Sequence, residues 1–162
     1  MKTVGIIPAR YGSTRFPGKP LHPIAGKPLL QHVWERCTEA RQLDAILVAT
    51  DDESIAATAE SFGARVAMTS SDHESGTDRI AEAAAAEPDC THVINIQGDE
   101  PLIAPELIDQ LAARMAADPD VHMITAAVHA GAGDDLSDPN VVKVVLSKDG
   151  AALYFSRSLI PH

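Results

Sequence analysis

Hydrophobic and polar residues alternate along the chain in blocks, and the spacing within each block predicts a strand or a helix. Short runs rich in β-branched residues predict buried strands, whereas apolar residues three and four positions apart predict amphipathic helices. The predicted strands cover residues 2–7, 44–50, 65–69, 91–97 and 121–129. The helices predicted between them cover residues 28–42, 51–63, 76–87 and 104–118.

This alternation predicts the fold class. Strands that alternate with helices at this spacing form a mostly parallel sheet with helices on both faces, an α/β fold of the Rossmann-like type. Towards the end of the chain the pattern changes, because residues 140–147 and 151–156 flank a short polar turn and predict a β-hairpin. The sequence contains no repeat, low-complexity tract or linker, so we predict a single domain over residues 1–162.

The net charge of −10 argues against nucleic acid as a partner, because nucleic-acid binding depends largely on the neutralisation of phosphates by cations. No apolar run reaches the roughly 20 residues that a membrane span needs. Pro8 and Arg10 end the first apolar stretch too early for a signal peptide. We therefore expect a cytoplasmic protein that binds neither nucleic acid nor a membrane.

The cysteines and histidines do not form a recognisable site. Cys37 and Cys90 are far apart, which argues against a structural zinc ion or a disulfide, and Cys37 lies on the apolar face of a predicted helix. The seven histidines are scattered without HxxH or HExxH spacing, and the chain has no GxSxG nucleophile motif. Metal-hydrolase and serine-hydrolase chemistry are therefore not indicated.

Polar stretches follow the first four predicted strands, at residues 8–19, 50–52, 70–79 and 97–101. Ligands of open α/β sheets bind beyond the carboxyl ends of the strands. We therefore expect these stretches to converge on one crevice.

The first of these stretches contains three cations, Arg10, Arg15 and Lys19, among glycines and prolines. Glycine lets backbone N–H groups approach an anion, and arginine offers forked donors to phosphate oxygens. The spacing is not that of a Walker A loop, since five residues separate Gly12 from Gly18. The alternative is a solvated surface loop, but three clustered cations favour a phosphate cradle.

The stretch QGDEP offers Asp99 as a ligand for Mg²⁺, which takes one or two protein carboxylates and completes its shell with phosphate oxygens and water. The alternative is that Asp99 or Glu100 caps the next helix. Glu100 fits the role of helix cap better, whereas Asp99 fits the role of metal ligand better.

Two further stretches remain ambiguous on the residues alone. Ser75 is a good N-cap for the third predicted helix, and Arg79 either lies across the sheet edge or contributes to the crevice. Asp51 and Asp52 are equally well explained as caps of the second helix.

Six stretches carry a family resemblance, at residues 6–21, 48–52, 69–83, 93–101, 138–145 and 152–161. Through them the chain resembles the nucleotide-sugar cytidylyltransferases, most closely the branch that activates 3-deoxy-manno-octulosonate (KDO). The resemblance implies the nucleotide-diphospho-sugar transferase type of fold. It also implies that CTP and KDO form CMP-KDO and pyrophosphate for lipopolysaccharide synthesis, with Mg²⁺ as cofactor and a homodimer as the full-length assembly.

The resemblance further implies roles for particular residues. The triphosphate would be held by the first loop, with Lys19 neutralising charge at the α-phosphate: Arg10, Ser13, Arg15 and Lys19. Asp99 would hold the magnesium. The cytidine would lie along Ser75, Gly76 and Thr77. The sugar acid would face Gln97, Arg79 and Arg157.

Family members continue well beyond His162, so we expect that the C-terminal part, with a second acidic metal ligand and much of the dimer contact, is missing here. We also expect exposed apolar side chains on residues 152–160. The alternatives are an enzyme for another sugar acid, a nucleotide-binding module without catalysis, and a purely structural α/β domain.

Overall fold

The computed structural model describes residues 1–12, 16–131 and 133–160. These residues form two compact units, Met1–Ile124 and Thr125–His162, which are described separately. The prediction of one nucleotidyltransferase domain over the whole chain stays a prediction.

The first unit alternates strands and helices as predicted. Its strands are β1 (Thr3–Ala9), β2 (Pro23–Ile24), β3 (Lys27–Pro28), β4 (Ala45–Thr50), β5 (Arg65–Met68) and β6 (His92–Asn95). Its α-helices are α1 (Leu29–Thr38), α2 (Glu53–Ser61), α3 (Gly76–Ala86) and α4 (Pro105–Ala117). Four of the strands form a parallel sheet in the order β5-β4-β1-β6, and β2 pairs with β3 in a small antiparallel hairpin.

The two faces of this sheet are both covered by helices, as the sequence predicts. Val4 and Ile6 of β1 pack on one face against Ile80 of α3. Ile7, one position further along β1, lies on the other face with the buried side chains of α1, α2 and α4. Each such side chain contributes about 1.5–3 kcal/mol when it is fully buried, so this two-sided core carries the stability of the unit.

The order of the strands creates a crevice. After β5 the chain crosses β4 and β1 through α3 and adds β6 on the far side of β1. From β1 the chain proceeds to β4 on one side, whereas β6 is added on the other side of β1, so the strand order reverses at β1. In open α/β sheets such a reversal opens a crevice at the carboxyl ends of the strands.

A buried carboxylate holds the opposite end of the sheet together. Glu87, at the end of α3, accepts a hydrogen bond from Lys2 Nζ at 2.7 Å and one from Arg65 Nη2 at 2.9 Å. These donors lower the pKa of Glu87, Lys2 contributing most.

The predicted strand at residues 121–129 is wrong. These residues adopt no regular structure, and Met123 and Val128 are 85% and 93% exposed. A strand needs a hydrogen-bonded partner, and among the described residues no strand pairs with this segment beyond β6. The sequence pattern alone carries no information about that partner.

The second unit contains the predicted hairpin. Strand β7 (Lys143–Leu146) pairs antiparallel with β8 (Ala152–Ser156), and Gly150 takes a φ of 88° in the connecting turn. The expected exposure of apolar side chains here is confirmed by Leu153, Tyr154 and Phe155. None of the helices in the described part of the chain is long and apolar enough to cross a membrane.

Candidate active site

A cleft of about 620 Å³ lies at the predicted crevice of the first unit. Three elements line it: the end of β1 with its following loop, the segment that leads into α3, and the end of β6. The lining residues are Pro8, Ala9, Arg10, Phe16, Lys19, Pro20, His73, Glu74, Ser75, Gly76, Arg79, Gln97, Gly98 and Asp99. The polar stretches after β1, β5 and β6 thus meet in one place.

Glycine is required where the walls of the cleft approach each other. A Cβ atom on Gly98 would lie 2.9 Å from the backbone oxygen of Pro8, closer than real side chains come. A Cβ atom on Gly76 would lie 3.4 Å from Cγ of the same proline, an ordinary van der Waals distance. Packing against the end of β1 therefore requires a residue without a side chain at Gly98, whereas it tolerates alanine at Gly76.

Lys19 and Asp99 form an ion pair across the cleft. Lys19 Nζ lies 2.5 Å from Asp99 Oδ2, and the two side chains are 39% and 50% exposed. Such an exposed pair adds little to stability. The pair matters for the chemistry of the cleft, because it brings together a cation and a carboxylate from the segments that follow β1 and β6.

Arg10, Ser13 and Arg15 are the other residues of the first loop that are predicted to hold phosphate. Arg10 lines the cleft, and its guanidinium makes no hydrogen bond or ion pair within the described part of the chain. Ser13 and Arg15 lie outside the described residues. The loop continues into a short 3-10 helix, Lys19–Leu21, preceded by Gly18 with a φ of 70°.

The N-terminus of α3 faces the cleft through Ser75 and Gly76, and Thr77 follows in the first turn. Ser75 caps the helix: its Oγ accepts a hydrogen bond from the Asp78 N–H at 3.2 Å and donates one to Asp78 Oδ2 at 2.6 Å. A helix N-terminus carries free N–H groups and a partial positive charge, which favour an anion.

Arg79 is held from two sides. Its side chain is 4% exposed, its Nη2 lies 3.0 Å from Asp51 Oδ1, and its Nη1 donates to Thr69 Oγ1 at 2.5 Å. It thus ties α3 to the ends of β4 and β5. Asp52, in contrast, caps α2 by accepting from the N–H groups of Ser54 and Ile55, so the two neighbouring acids have different roles.

Asp99 and Glu100 do not cap the helix that follows. Helix α4 begins at Pro105, and its N-cap position is Ala104, which offers no side-chain hydrogen bond. The competing explanation for Asp99 is therefore wrong. Within the described residues no three His, Cys, Asp or Glu side chains gather in a metal-binding group, so a cation at Asp99 would depend on ligand oxygens and water.

The two other residues predicted to face the acceptor lie in different units. Gln97 lines the cleft and donates from Nε2 to Asn95 Oδ1 at 2.6 Å. Arg157 belongs to the second unit, where its Nη1 donates to the carbonyl of Pro139 at 2.9 Å. The backbone carbonyl of Arg157 accepts from Lys143 Nζ, a largely buried ammonium.

The sequence analysis missed His73 and Glu82. His73 lines the cleft, and its Nε2 contacts Glu82 Oε2, while the same oxygen accepts from the Ser70 N–H at 2.9 Å. The hydrogen bond with His73 is the main cause that lowers the pKa of Glu82. The spacing of nine residues between His73 and Glu82 matches no motif, so only the packing of the loop against α3 reveals the pair.

Comparison with known proteins gives a family. A family model described as cytidylyltransferase matches residues 4–162. A 3-deoxy-manno-octulosonate cytidylyltransferase of Geobacter metallireducens is 52% identical over 162 residues, which are 100% of this chain and 63% of that relative. The chain thus spans less than two thirds of the length of this relative.

Solved structures agree with this result. The structure of CMP:2-keto-3-deoxy-manno-octonic acid synthetase complexed with CTP superposes with a TM-score of 0.88 at 43% identity, over 100% of this chain and 66% of that one. A Mycobacterium tuberculosis protein in complex with manganese superposes with a TM-score of 0.53 at 17% identity, and the match covers 72% of this chain and 61% of that protein's chain. The second likeness concerns the fold alone.

Proposed function

This chain belongs to the cytidylyltransferase family, and on that premise we propose that it transfers CMP from CTP to KDO with release of pyrophosphate. The observation that supports this most is the meeting of Lys19 and Asp99 beside the N-terminus of α3. A cation, a carboxylate and a positive helix end in one cleft suit a nucleoside triphosphate with its metal ion.

In the proposed reaction the anomeric hydroxyl oxygen of KDO attacks the α-phosphorus of CTP and gives its proton to water. The bond from that phosphorus to the β-phosphate oxygen breaks, and pyrophosphate leaves. Arg10, Arg15 and Lys19 offset the negative charge of the phosphates, and the hydroxyl of Ser13 helps to hold the triphosphate by hydrogen bonding. The protein has little covalent chemistry to perform, so its contribution is positioning and electrostatic stabilisation.

We assign Mg²⁺ to Asp99. A single half-exposed carboxylate fits this ion, which keeps several waters and takes its other ligands from phosphate oxygens. When bound, the ion neutralises phosphate charge. Because Asp99 already pairs with Lys19, the two side chains are close enough to act on the same phosphates.

The cytidine of CTP and the sugar acid are assigned to other residues. Ser75, Gly76 and Thr77 run along the cytidine. The sugar acid is assigned to Gln97, Arg79 and Arg157, since arginine suits a carboxylate. A homodimer and a cytoplasmic location, which the family resemblance implies, are part of the same proposal.

A second candidate is a nucleotide-binding module without catalysis. It is favoured by the lining of the cleft, because every lining residue, including Lys19 and Asp99, belongs to the first unit. Such a module would bind CTP in the same cleft and release no pyrophosphate.

The test is pyrophosphate release with CTP, Mg²⁺ and KDO, and with each omitted in turn. Release that requires all three supports the enzyme. Lys19→Ala is expected to weaken CTP binding at least tenfold, whereas Lys148→Ala, at an exposed lysine of the hairpin turn, is the matched control. CTP binding without release favours the module, and no CTP binding by the folded chain would refute both.

A further inference from the structure

His73 is the one histidine among the described residues that lines the cleft. Its side chain is 21% exposed, so solvent and ligands reach part of the ring. It lies two positions before Ser75, the cap of α3, in the segment 70–75 that joins β5 to that helix. Its position thus puts an imidazole ring next to the residues assigned to the nucleotide.

Glu82 fixes this ring. It lies nearly two turns into α3, and its Oε2 contacts His73 Nε2 and accepts the Ser70 N–H. The hydroxyl of Ser70 in turn accepts from the Asp72 N–H at 3.1 Å. The segment 70–75 is therefore held to the helix by a carboxylate that has no other assigned role.

The second ring nitrogen of His73 is left for a ligand. Its Nδ1 has no hydrogen-bond partner in the part of the chain that the structure describes. With Nε2 directed at Glu82, Nδ1 is the remaining polar atom of the ring. It donates a hydrogen bond when the ring is protonated and accepts one when the ring is neutral.

The charges around the cleft make such a donor useful. Lys19 is paired with Asp99, and Arg79 with Asp51, so two of the three lining cations are already compensated. Arg10 and Glu74 complete the charged lining from the β1 loop and from the residue after His73. A protonated His73 adds a positive group on the α3 side, opposite the cations of the β1 loop.

We propose that His73 is a further substrate-binding residue, which donates to an anionic group of the substrate, and that Glu82 is the positioning residue that holds its ring. This rests on the proposed function. The anionic group is a phosphate of CTP or the carboxylate of the acceptor, two sources with the same chemistry. Because the ring donates from Nδ1 only when it is protonated, affinity is expected to fall as the pH rises.

The experiment measures the affinity of the full chain for CTP, for pyrophosphate and for KDO by calorimetry between pH 5.5 and 8.5. His73→Gln keeps an amide donor for Glu82 but cannot be charged. It is expected to weaken binding of the contacted ligand about tenfold at low pH, the effect of one charged hydrogen bond, and less at high pH. A loss for pyrophosphate identifies a phosphate, and a loss for KDO alone identifies the carboxylate.

Glu82→Gln tests the positioning role. It should weaken binding of the same ligand as His73→Gln does, and the double variant should lose no more affinity than His73→Gln alone, which a merely structural contact would not do. His122→Gln, at an exposed histidine outside the cleft, is the matched control and should bind every ligand as the unmodified chain does. Thermal unfolding of each variant identifies any loss of fold.

Three results would overturn the proposal. In the first, His73→Gln binds all ligands with the affinity and pH dependence of the unmodified chain, while Lys19→Ala still loses CTP; then only the inference on His73 fails. In the second, His73→Gln lowers the melting temperature without changing ligand affinity, so the contact with Glu82 is structural. In the third, the unmodified folded chain binds neither CTP nor KDO, and the proposed function fails together with the inference.

Discussion

Replacing Gly98 by alanine probes the contact that shapes the cleft. The added Cβ atom would lie 2.9 Å from the Pro8 carbonyl oxygen and 3.6 Å from Ile7 Cγ2. The oxygen belongs to the backbone of β1, where Pro8 is paired with Ala49 of β4. It cannot rotate away, so the end of β6 has to move by a few tenths of an ångström.

The cost follows from this geometry. Overpacking of a close contact costs about 1–3 kcal/mol, and about 2 kcal/mol lowers the melting temperature of a chain of this size by roughly 6 °C. The displacement also moves Asp99, the next residue, away from Lys19. We therefore expect Gly98→Ala to lose both stability and affinity for CTP with Mg²⁺.

Calorimetric unfolding and CTP titration measure the two effects. Gly133→Ala is the control, because a Cβ atom there meets no atom within 4 Å. The reasoning fails if Gly98→Ala unfolds at the temperature of Gly133→Ala and binds CTP as tightly, since the close approach would then impose no constraint.

Three further predictions concern other parts of the molecule. Gly76→Ala should preserve or slightly raise the unfolding temperature, because alanine favours the first turn of α3 by about 0.5–1 kcal/mol. The same substitution should weaken CTP binding, measured by titration. Unchanged affinity would mean that no ligand approaches that backbone. The folded-state pKa of Glu87 is lowered from 4.5, so its contribution to stability is present above about pH 4.5 and lost as the pH falls further, and Glu87→Gln should flatten the acid limb of stability measured by urea titration. A thiol reagent at pH 8 should label Cys90, which is partly exposed, before Cys37, because burial of Cys37 raises its pKa to about 12; equal labelling of both in the folded chain would contradict the burial.

The parallel sheet could be predicted because each of its strands is marked locally. Apolar runs that end at polar turns identify β1, β4, β5 and β6 without knowledge of their neighbours, and helical spacing identifies the segments between them. The segment 121–129 has the same local pattern but lacks a partner strand among the described residues, and the existence of a partner is a property of the whole chain.

The residues of the site likewise fall into two groups, those that the local sequence predicts and those whose roles depend on the fold. The positions of Lys19 and Asp99 in the cleft could be predicted because each lies in the polar stretch that follows a strand, and the strands β1 and β6 are neighbours in the sheet. Asp51 and Asp52 could not be distinguished, because only the position of Arg79 decides which acid pairs and which caps. The pairing of His73 with Glu82 likewise depends on how the loop folds back on α3.

Pro8 explains why the crevice beside β1 stays open. In the register of β1 and β6 the Ile96 N–H donates to the Ile6 carbonyl at 3.1 Å, and the next donor towards β6 would be the N–H of residue 8. Proline has no N–H, so the ladder between the two strands cannot extend by another step. Pro8 therefore ends the pairing of β1 with β6 just before Gln97 and Asp99, which line the cleft. The end of the pairing between β1 and β6 thus follows from the covalent structure of one ring and not from side-chain packing.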